Sequence, residues 1–430
     1  MTSAEQVRGK GLRVAVAGGG IMGACASLLL AQAGHRVVWF APQEPLRRND
    51  GAQARAYALA PGSVRLLERL GVWSQVSARA RPVVAMEVYP RPTDAQPVTL
   101  SAQDVGTREL AQILGHAELL HACEQAAQAS VDILRDPRFP SDIRVGNSGN
   151  PAVLIFAQSF PQSFAQSADP QHREPLAGHK PEYAQTSETF DLIIAADGAG
   201  SFLRRRAGLL WGLRDYEQTA LVMALESAQP HQGVACQWFS ENAVLALLPL
   251  EHERQLSLVY SLPTREAAQW MQEPVQAIAQ RVSADSGYRW GDLSALSAAV
   301  ASPLAMTMVD QFSTGRLLLV GDAAHTVHPL AGYGLNLGMQ DLQALQARLQ
   351  ASPRLVSSQI PGWLTRFGRQ RLLANRSIQW GLDGLWRAMR LELPGLQTAR
   401  SLGSKGLRSL PWLRRWLIRQ ALGPRVNNAA

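Results

Sequence analysis

Residues 13–41 read RVAVAGGGIMGACASLLLAQAGHRVVWFA. Five residues of strand character run into three glycines. A long apolar stretch follows, closed by Gly34, and a second short apolar run begins at Val37. Short apolar runs bounded by turn signals read as buried strands, and apolar stretches of ten or more residues as buried helices. The segment therefore predicts strands at 13–17 and 37–41 around a helix at 21–33, the opening of an α/β fold with a parallel sheet. Gly18, Gly20 and Gly23 complete a GxGxxG pattern at the first strand-to-helix turn. Glycines there permit a tight turn and close approach of a pyrophosphate, whose charge meets the helix N-terminus. The expectation is a doubly wound, Rossmann-type domain that binds a dinucleotide.

Further along, 61–70 reads as a helix stopped at Gly71, 83–89 as a strand, and 109–127 as a helix. The stretch 158–188 is polar and rich in Gln, Ser, Pro and Ala, and reads as a surface insertion. Residues 191–196 read as another buried strand. Segments 219–225, 234–239, 243–248 and 255–260 have strand length and composition, and predict an antiparallel sheet in a second domain. Residues 316–320 read as a last buried strand and 335–349 as a helix, with a helical, basic remainder.

Composition limits the functional classes. Apolar residues make up 46% and charged residues 18% of 430, which is globular and excludes a disordered chain. Cys25, Cys123 and Cys236 are odd in number and far apart, so they predict reduced thiols of a cytoplasmic protein. From Trp386 onward nine Arg and Lys face one acid, Glu392, which accounts for the whole formal charge of +8. The main body is balanced, and no nucleic-acid partner is expected. No signal peptide and no apolar run of membrane-spanning length is seen. Trp412, Leu413, Trp416, Leu417 and Ala421 share one helical face, with Arg414, Arg415 and Arg419 elsewhere. That pattern predicts peripheral contact of the tail with an anionic surface, on the inner face of the membrane, or with an acidic partner.

Two later motifs follow buried strands. Asp197-Gly198 is one, with Ser201 and Arg204 just after it. The other is GDAAHTVHPLAGYGLNLGMQDLQAL at 321–345. An acid at a strand end can accept polyol hydroxyls, and a Gly-rich turn opening a helix can present N–H groups to developing negative charge. His325 and His328 lie three apart without a third ligand, so no metal site is expected.

The three motifs in this order resemble the group A FAD-dependent aromatic monooxygenases of the para-hydroxybenzoate hydroxylase fold, within them the ubiquinone-biosynthesis hydroxylases. The segments at 55–59, 246–250 and 257–260 share the likeness, which runs from about Arg13 to Gly423. The resemblance implies that Gly18, Gly20 and Gly23 hold the FAD pyrophosphate and that Asp197 and Gly198 touch FAD. It further implies that Asp322 binds the ribityl chain, that Pro329, Gly332, Gly334, Leu335 and Asn336 lie against the isoalloxazine, and that Arg55 sits close to it. It implies ring hydroxylation of a polyprenylated phenol through a flavin C4a-hydroperoxide, with molecular oxygen as co-substrate and NAD(P)H or a protein electron donor as reductant. Three positions depart from the family: Ala41 where an acid binds the adenosine ribose, Tyr333 between the loop glycines, and Gly115-His116-Ala117 on the helix after the first crossover. These departures keep open a weakly active or FAD-free relative serving in a biosynthetic complex. An FAD-dependent prenyl reductase also stays open, and an NADP-dependent dehydrogenase is a further rival, with Arg47 and Arg48 meeting a 2′-phosphate. The resulting division is an FAD-binding domain of 1–80, 105–200 and 310–385, a substrate domain of 81–104 and 201–309, and a tail of 386–430.

Overall fold

The computed structural model describes residues 11–42, 55–89, 96–157, 185–240, 242–327 and 333–390, with the backbone alone for 378–390. The opening unit comprises the strand Arg13–Ala17, the helix Ile21–Gln32 and the strand Arg36–Phe40. Gly34 takes φ +85°, left-handed geometry that glycine adopts without strain and that ends the helix. The helix is buried along almost its whole length. It lies between the parallel sheet and two other helices, His116–Gln128 and Tyr333–Gln350. An apolar stripe on one side would not suffice there, which explains why 24–31 is apolar on every side except at Ser27, whose hydroxyl donates to Gly23 O.

The parallel sheet has six strands in the order Ser313–Thr314, Leu317–Leu319, Leu192–Ala195, Arg13–Ala17, Arg36–Phe40, Ile133–Asp136. All adjacent pairs but the first run parallel. The inner strands carry near-continuous apolar runs because both faces are covered, one by the helix Ile21–Gln32 and the other by the three-stranded sheet Asp142–Arg144, Ala152–Ala157, Gln185–Phe190, whose Phe156 and Phe190 pack on Phe40.

The larger sheet has nine strands. Its path runs His325–Thr326, Val300–Val309, Trp211–Ser227, Gln255–Pro263, Val244–Pro249, Val234–Phe239, Ala85–Tyr89, Val98–Ser101, with Leu293–Ala295 beside Trp211–Ser227. Helices Thr264–Trp270 and Val275–Asp285 supply Trp270, Ile278 and Val282 to a core on one face. A smaller sheet joins Ala56–Leu59, Ala111–Gly115 and Arg81–Val83.

Several expectations need correction. Residues 111–115 form a strand, not the start of a helix; Gly115 caps a helix that begins at His116. Pairing with two neighbouring strands overrides the helical propensity of that stretch. The strand expected at 83–89 is two strands that pair in different sheets. The strand Trp211–Ser227 is far longer than 219–225, because a register shift between Asp215 and Gln218 lets it bend and continue. The strand at 317–319 is not the last, since His325–Thr326 pairs with Val300–Val309. The predicted antiparallel sheet holds one parallel pair, Val234–Phe239 with Ala85–Tyr89. Within the expected insertion, Gln185–Phe190 begins as a strand paired with Ala152–Ala157; 158–184 lies outside the described residues, as does 391–430 of the tail. Residues 386–390 continue the helix Ile360–Arg390.

Candidate functional site

The strands Arg13–Ala17, Leu192–Ala195 and Leu317–Leu319 are neighbours in the parallel sheet, so the three motifs at their carboxyl ends meet. Ligands in open α/β sheets bind at such ends. At Gly18, φ is +132° and a Cβ would stand 2.1 Å from the Ala196 carbonyl oxygen. The Gly18 N–H donates to Phe40 O at 2.9 Å, and the Trp39 indole N–H donates to Gly18 O at 2.8 Å. A Cβ on Gly23 would meet Gly18 O at 1.9 Å. These two glycines are therefore fixed by the turn's own packing. Gly20 differs: it caps the helix in extended geometry, and a Cβ there would meet nothing within 4 Å. The first helical turn carries no acid. An open space beside free N–H groups at a helix start suits a pyrophosphate.

Asp197 organises the second motif. Its carboxylate accepts from the Ser201 hydroxyl at 2.5 Å and from the Leu203 N–H at 3.1 Å, and Gly198 at φ +79° makes the turn. Arg204 is buried and donates to Ala199 O and to Ala323 O, both at 2.7 Å, which ties the second motif to the third.

In the third motif, Gly321 has φ +60° and a Cβ would lie 3.0 Å from Met22 of the first helix. Asp322 is exposed to solvent, yet protein surrounds it closely enough that burial raises its pKa above the ordinary value, against the opposing charges of His325 and Arg55. Asp322 stands at the carboxyl end of Leu317–Leu319, within reach of the charges of His325 and Arg55. Arg55 is exposed, with its guanidinium 5.3 Å from the Tyr57 ring centre. The Tyr57 hydroxyl pairs with His116 Nδ1 at 2.9 Å. Burial, then the Arg55 charge, pushes His116 down to about 4, so its imidazole is neutral at neutral pH. Burial likewise raises the Tyr57 phenol.

Asn336 acts through other residues. Its side chain donates to Ala58 O at 2.7 Å and accepts from Ala60 N at 2.9 Å and Ser63 Oγ at 2.7 Å. It clamps the helix Tyr333–Gln350 to the strand that follows Arg55. Its amide is thus engaged by protein, and contact with a flavin would fall to its backbone. Gly334 and Leu335 stand at the start of that helix, half-buried. Pro329 and Gly332, like His328, lie outside the described residues.

The fit to a flavin dinucleotide has one gap. A turn for the pyrophosphate, a carboxylate at a strand end for the ribityl chain and a helix start are all present. Ala41 is fully buried beside Gly19 and supplies no carboxylate for the adenosine ribose.

Sequence reading missed the group that orients the third motif. Asp341 is fully buried, and its carboxylate accepts from Gly321 N at 3.2 Å, His325 Nε2 at 2.7 Å, Arg371 Nε at 2.8 Å and Asn375 Nδ2 at 3.3 Å. Burial alone would raise its pKa, but His325 first, then Arg371 and the Gly321 N–H, hold it below the usual aspartate range. The available signal was an acid within the apolar stripe of Leu337, Leu342 and Leu345. A separate cavity of about 400 Å³, lined among others by Tyr260, Trp270 and Arg281, includes no residue of the three motifs.

Comparison with known proteins agrees with this geometry. A family model described as FAD binding domain matches residues 11–354. The 3-demethoxyubiquinol 3-hydroxylase of Escherichia coli (strain K12) is 30% identical over 421 residues, spanning 95% of this chain and 98% of the relative. The ubiquinone hydroxylase UbiL of Rhodospirillum rubrum is 25% identical, spanning 95% of this chain and 89% of the relative. Among solved structures, p-nitrophenol 4-monooxygenase PnpA of Pseudomonas putida DLL-E4 shares the fold with TM-score 0.70 at 15% identity, covering 96% of this chain and 98% of that one. Klebsiella pneumoniae HpxO, complexed with FAD and uric acid, does so with TM-score 0.70 at 17% identity, covering 97% of each.

Proposed function

The chain belongs to the FAD binding domain family and is an FAD-dependent monooxygenase, and from that premise we propose that it hydroxylates the ring of a polyprenylated phenol in ubiquinone biosynthesis. The 30% identity to 3-demethoxyubiquinol 3-hydroxylase over nearly the whole chain carries this reading, and the three motifs at adjacent strand ends support the cofactor site. Reduced FAD supplies activated oxygen for transfer to an electron-rich ring.

The roles of this chain's residues follow from their chemistry. Gly18, Gly20, Gly23 and the N-terminus of Ile21–Gln32 would bind the pyrophosphate. Asp322 would accept ribityl hydroxyls, and Arg55 would add positive charge nearby. Asp197 and Gly198 would shape the turn beside the cofactor. Pro329, Gly332, Gly334, Leu335 and Asn336 would line the isoalloxazine through backbone groups. Residues 81–104 and 201–309 would form the substrate domain, whose sheet would cover the ring and exclude water.

The substrate's lipid tail makes a membrane-proximal protein useful. No helix among the described residues is long and apolar enough to cross a membrane. The basic amphipathic tail supports peripheral binding on the inner face of the membrane, or to other members of a biosynthetic complex. NAD(P)H or a protein donor would reduce the flavin. The test is a turnover of purified protein with FAD, reductant and a prenylated phenol under ¹⁸O₂. Product heavier by one ¹⁸O atom is expected. A saturated prenyl chain with no oxygen gained would replace the reading with the reductase.

A further inference from the structure

The nine-stranded sheet has one face covered by the helices Thr264–Trp270 and Val275–Asp285. Its opposite face carries a row of paired residues across five strands: Val88, Gln237, Ala246, Val259 and Val222. Four of the five are small apolar residues, each half-buried. Gln237 is 4% exposed, and among the described residues its side-chain amide makes no hydrogen bond. Its polar atoms are not wholly sealed from solvent, so they touch a residual opening. Buried amides are ordinarily paired, and one left unpaired in a native protein needs a reason.

The direction of the face supplies that reason. Ala235, two residues before Gln237 and on its side of the sheet, packs with Ala56, Ala58 and Leu248. Ala56 and Ala58 lie on the strand that follows Arg55 and is clamped by Asn336. The face bearing Gln237 is therefore the one that packs against the strand following Arg55. An apolar wall with one placed polar group is the usual make-up of a pocket for an apolar ligand with one polar substituent.

We propose that Gln237 is a specificity-determining residue that hydrogen-bonds the ring hydroxyl of the substrate. The inference rests on the reading of the protein as an aromatic hydroxylase. A carboxamide both donates and accepts, so it serves a phenol or a phenolate. A site built to bond a hydroxyl discriminates against the analogue lacking it, because the amide is then left unpaired.

The test titrates FAD-loaded protein with 2-geranylphenol and with geranylbenzene, following the flavin absorbance. Wild type should bind the phenol about tenfold more tightly, the weight of one neutral hydrogen bond. Gln237→Leu should erase that difference while keeping FAD content and a melting temperature no lower than wild type, since no protein hydrogen bond is lost. Gln237→Met provides the same comparison should the branched side chain perturb packing. A preference that survives in both variants overturns the inference and leaves the hydroxylase reading intact. Loss of affinity for both ligands alike overturns it too, as a packing role. A wild type that holds FAD but binds neither ligand would bring down the hydroxylase reading as well.

Discussion

The Asp341 carboxylate stands 2.7 Å from His325 Nε2, and both side chains are buried. The same carboxylate accepts the Gly321 N–H, so the residue before Asp322 is held from a helix twenty positions away. Asp341→Asn keeps the shape but leaves Arg371 without its charge partner. Breaking a buried pair costs about 3–5 kcal/mol. The expected outcome is a lower melting temperature and weaker FAD retention, with Asp322 itself unchanged. A variant that melts as wild type and purifies fully yellow would remove Asp341 from this role.

The same group sets an acid limit. The folded pKa of Asp341 lies below its unfolded value of about 3.9. Its contribution is therefore complete above that value and is lost as pH falls through the depressed folded value. Urea unfolding of wild type and Asp341→Asn should give curves that converge below about pH 4. A constant gap down to the lowest accessible pH would contradict the assignment.

His116 acts in a different window. Its pKa falls from about 6.5 unfolded to about 4 folded. Below 6.5 the unfolded chain takes up the proton first, so stability declines as pH drops from 6.5 toward 4. His116→Asn, which can still accept from Tyr57, should lose that part of the acid sensitivity. Parallel stability curves for the two proteins across this range would show that His116 is not the group responsible.

Gly20 and Gly23 separate binding from folding. Gly23→Ala places a methyl within 1.9 Å of Gly18 O, and should cost about 1–3 kcal/mol or more of stability. Gly20→Ala meets no protein atom within 4 Å, so the melting temperature of the apo-protein should stay unchanged. Its FAD affinity should drop by about tenfold or more, because the methyl occupies the side from which the pyrophosphate approaches. Isothermal titration with FAD decides it, and equal affinities would move the pyrophosphate elsewhere.

Asp322→Ala removes the carboxylate at the end of the strand Leu317–Leu319. A hydrogen bond to a charged group is worth roughly 1.5–3 kcal/mol, or about 10- to 150-fold in affinity. The variant should fold, since no protein partner is lost among the described residues, and should purify with little flavin. Full occupancy and full turnover would show that the ribityl chain is held by other groups.

The parallel sheet was legible because its strands are buried on both faces and keep apolar runs whatever their partners. The glycine turn and the place of Asp322 at a strand end were legible because tight turns demand glycine and buried strands are marked by their apolar runs. Asp341 was not, nor were the tethering roles of Arg204 and Asn336, because each depends on partners far along the chain: Gly321, Ala323 and Ala58. The strand Ala111–Gly115 was misread for the same reason, since its pairing with Ala56–Leu59 and Arg81–Val83 cannot be seen in its own composition. Gln237 drew no reading of its own from the sequence, because only the pairing of five strands shows which face it shares.

The one parallel pair in the large sheet bears on how the protein is made. Ala85–Tyr89 lies between Val98–Ser101 and Val234–Phe239, and its parallel partner begins roughly 150 residues later. A ribosome adding about 5–20 residues each second leaves that edge without its neighbour for roughly 7–30 s. The hairpin of 85–101 alone has too little apolar contact to persist, as two strands in water are marginal. Closure of the sheet therefore waits for late synthesis, and the newborn chain presents an unpaired strand edge to whatever chaperone or neighbouring chain reaches it first.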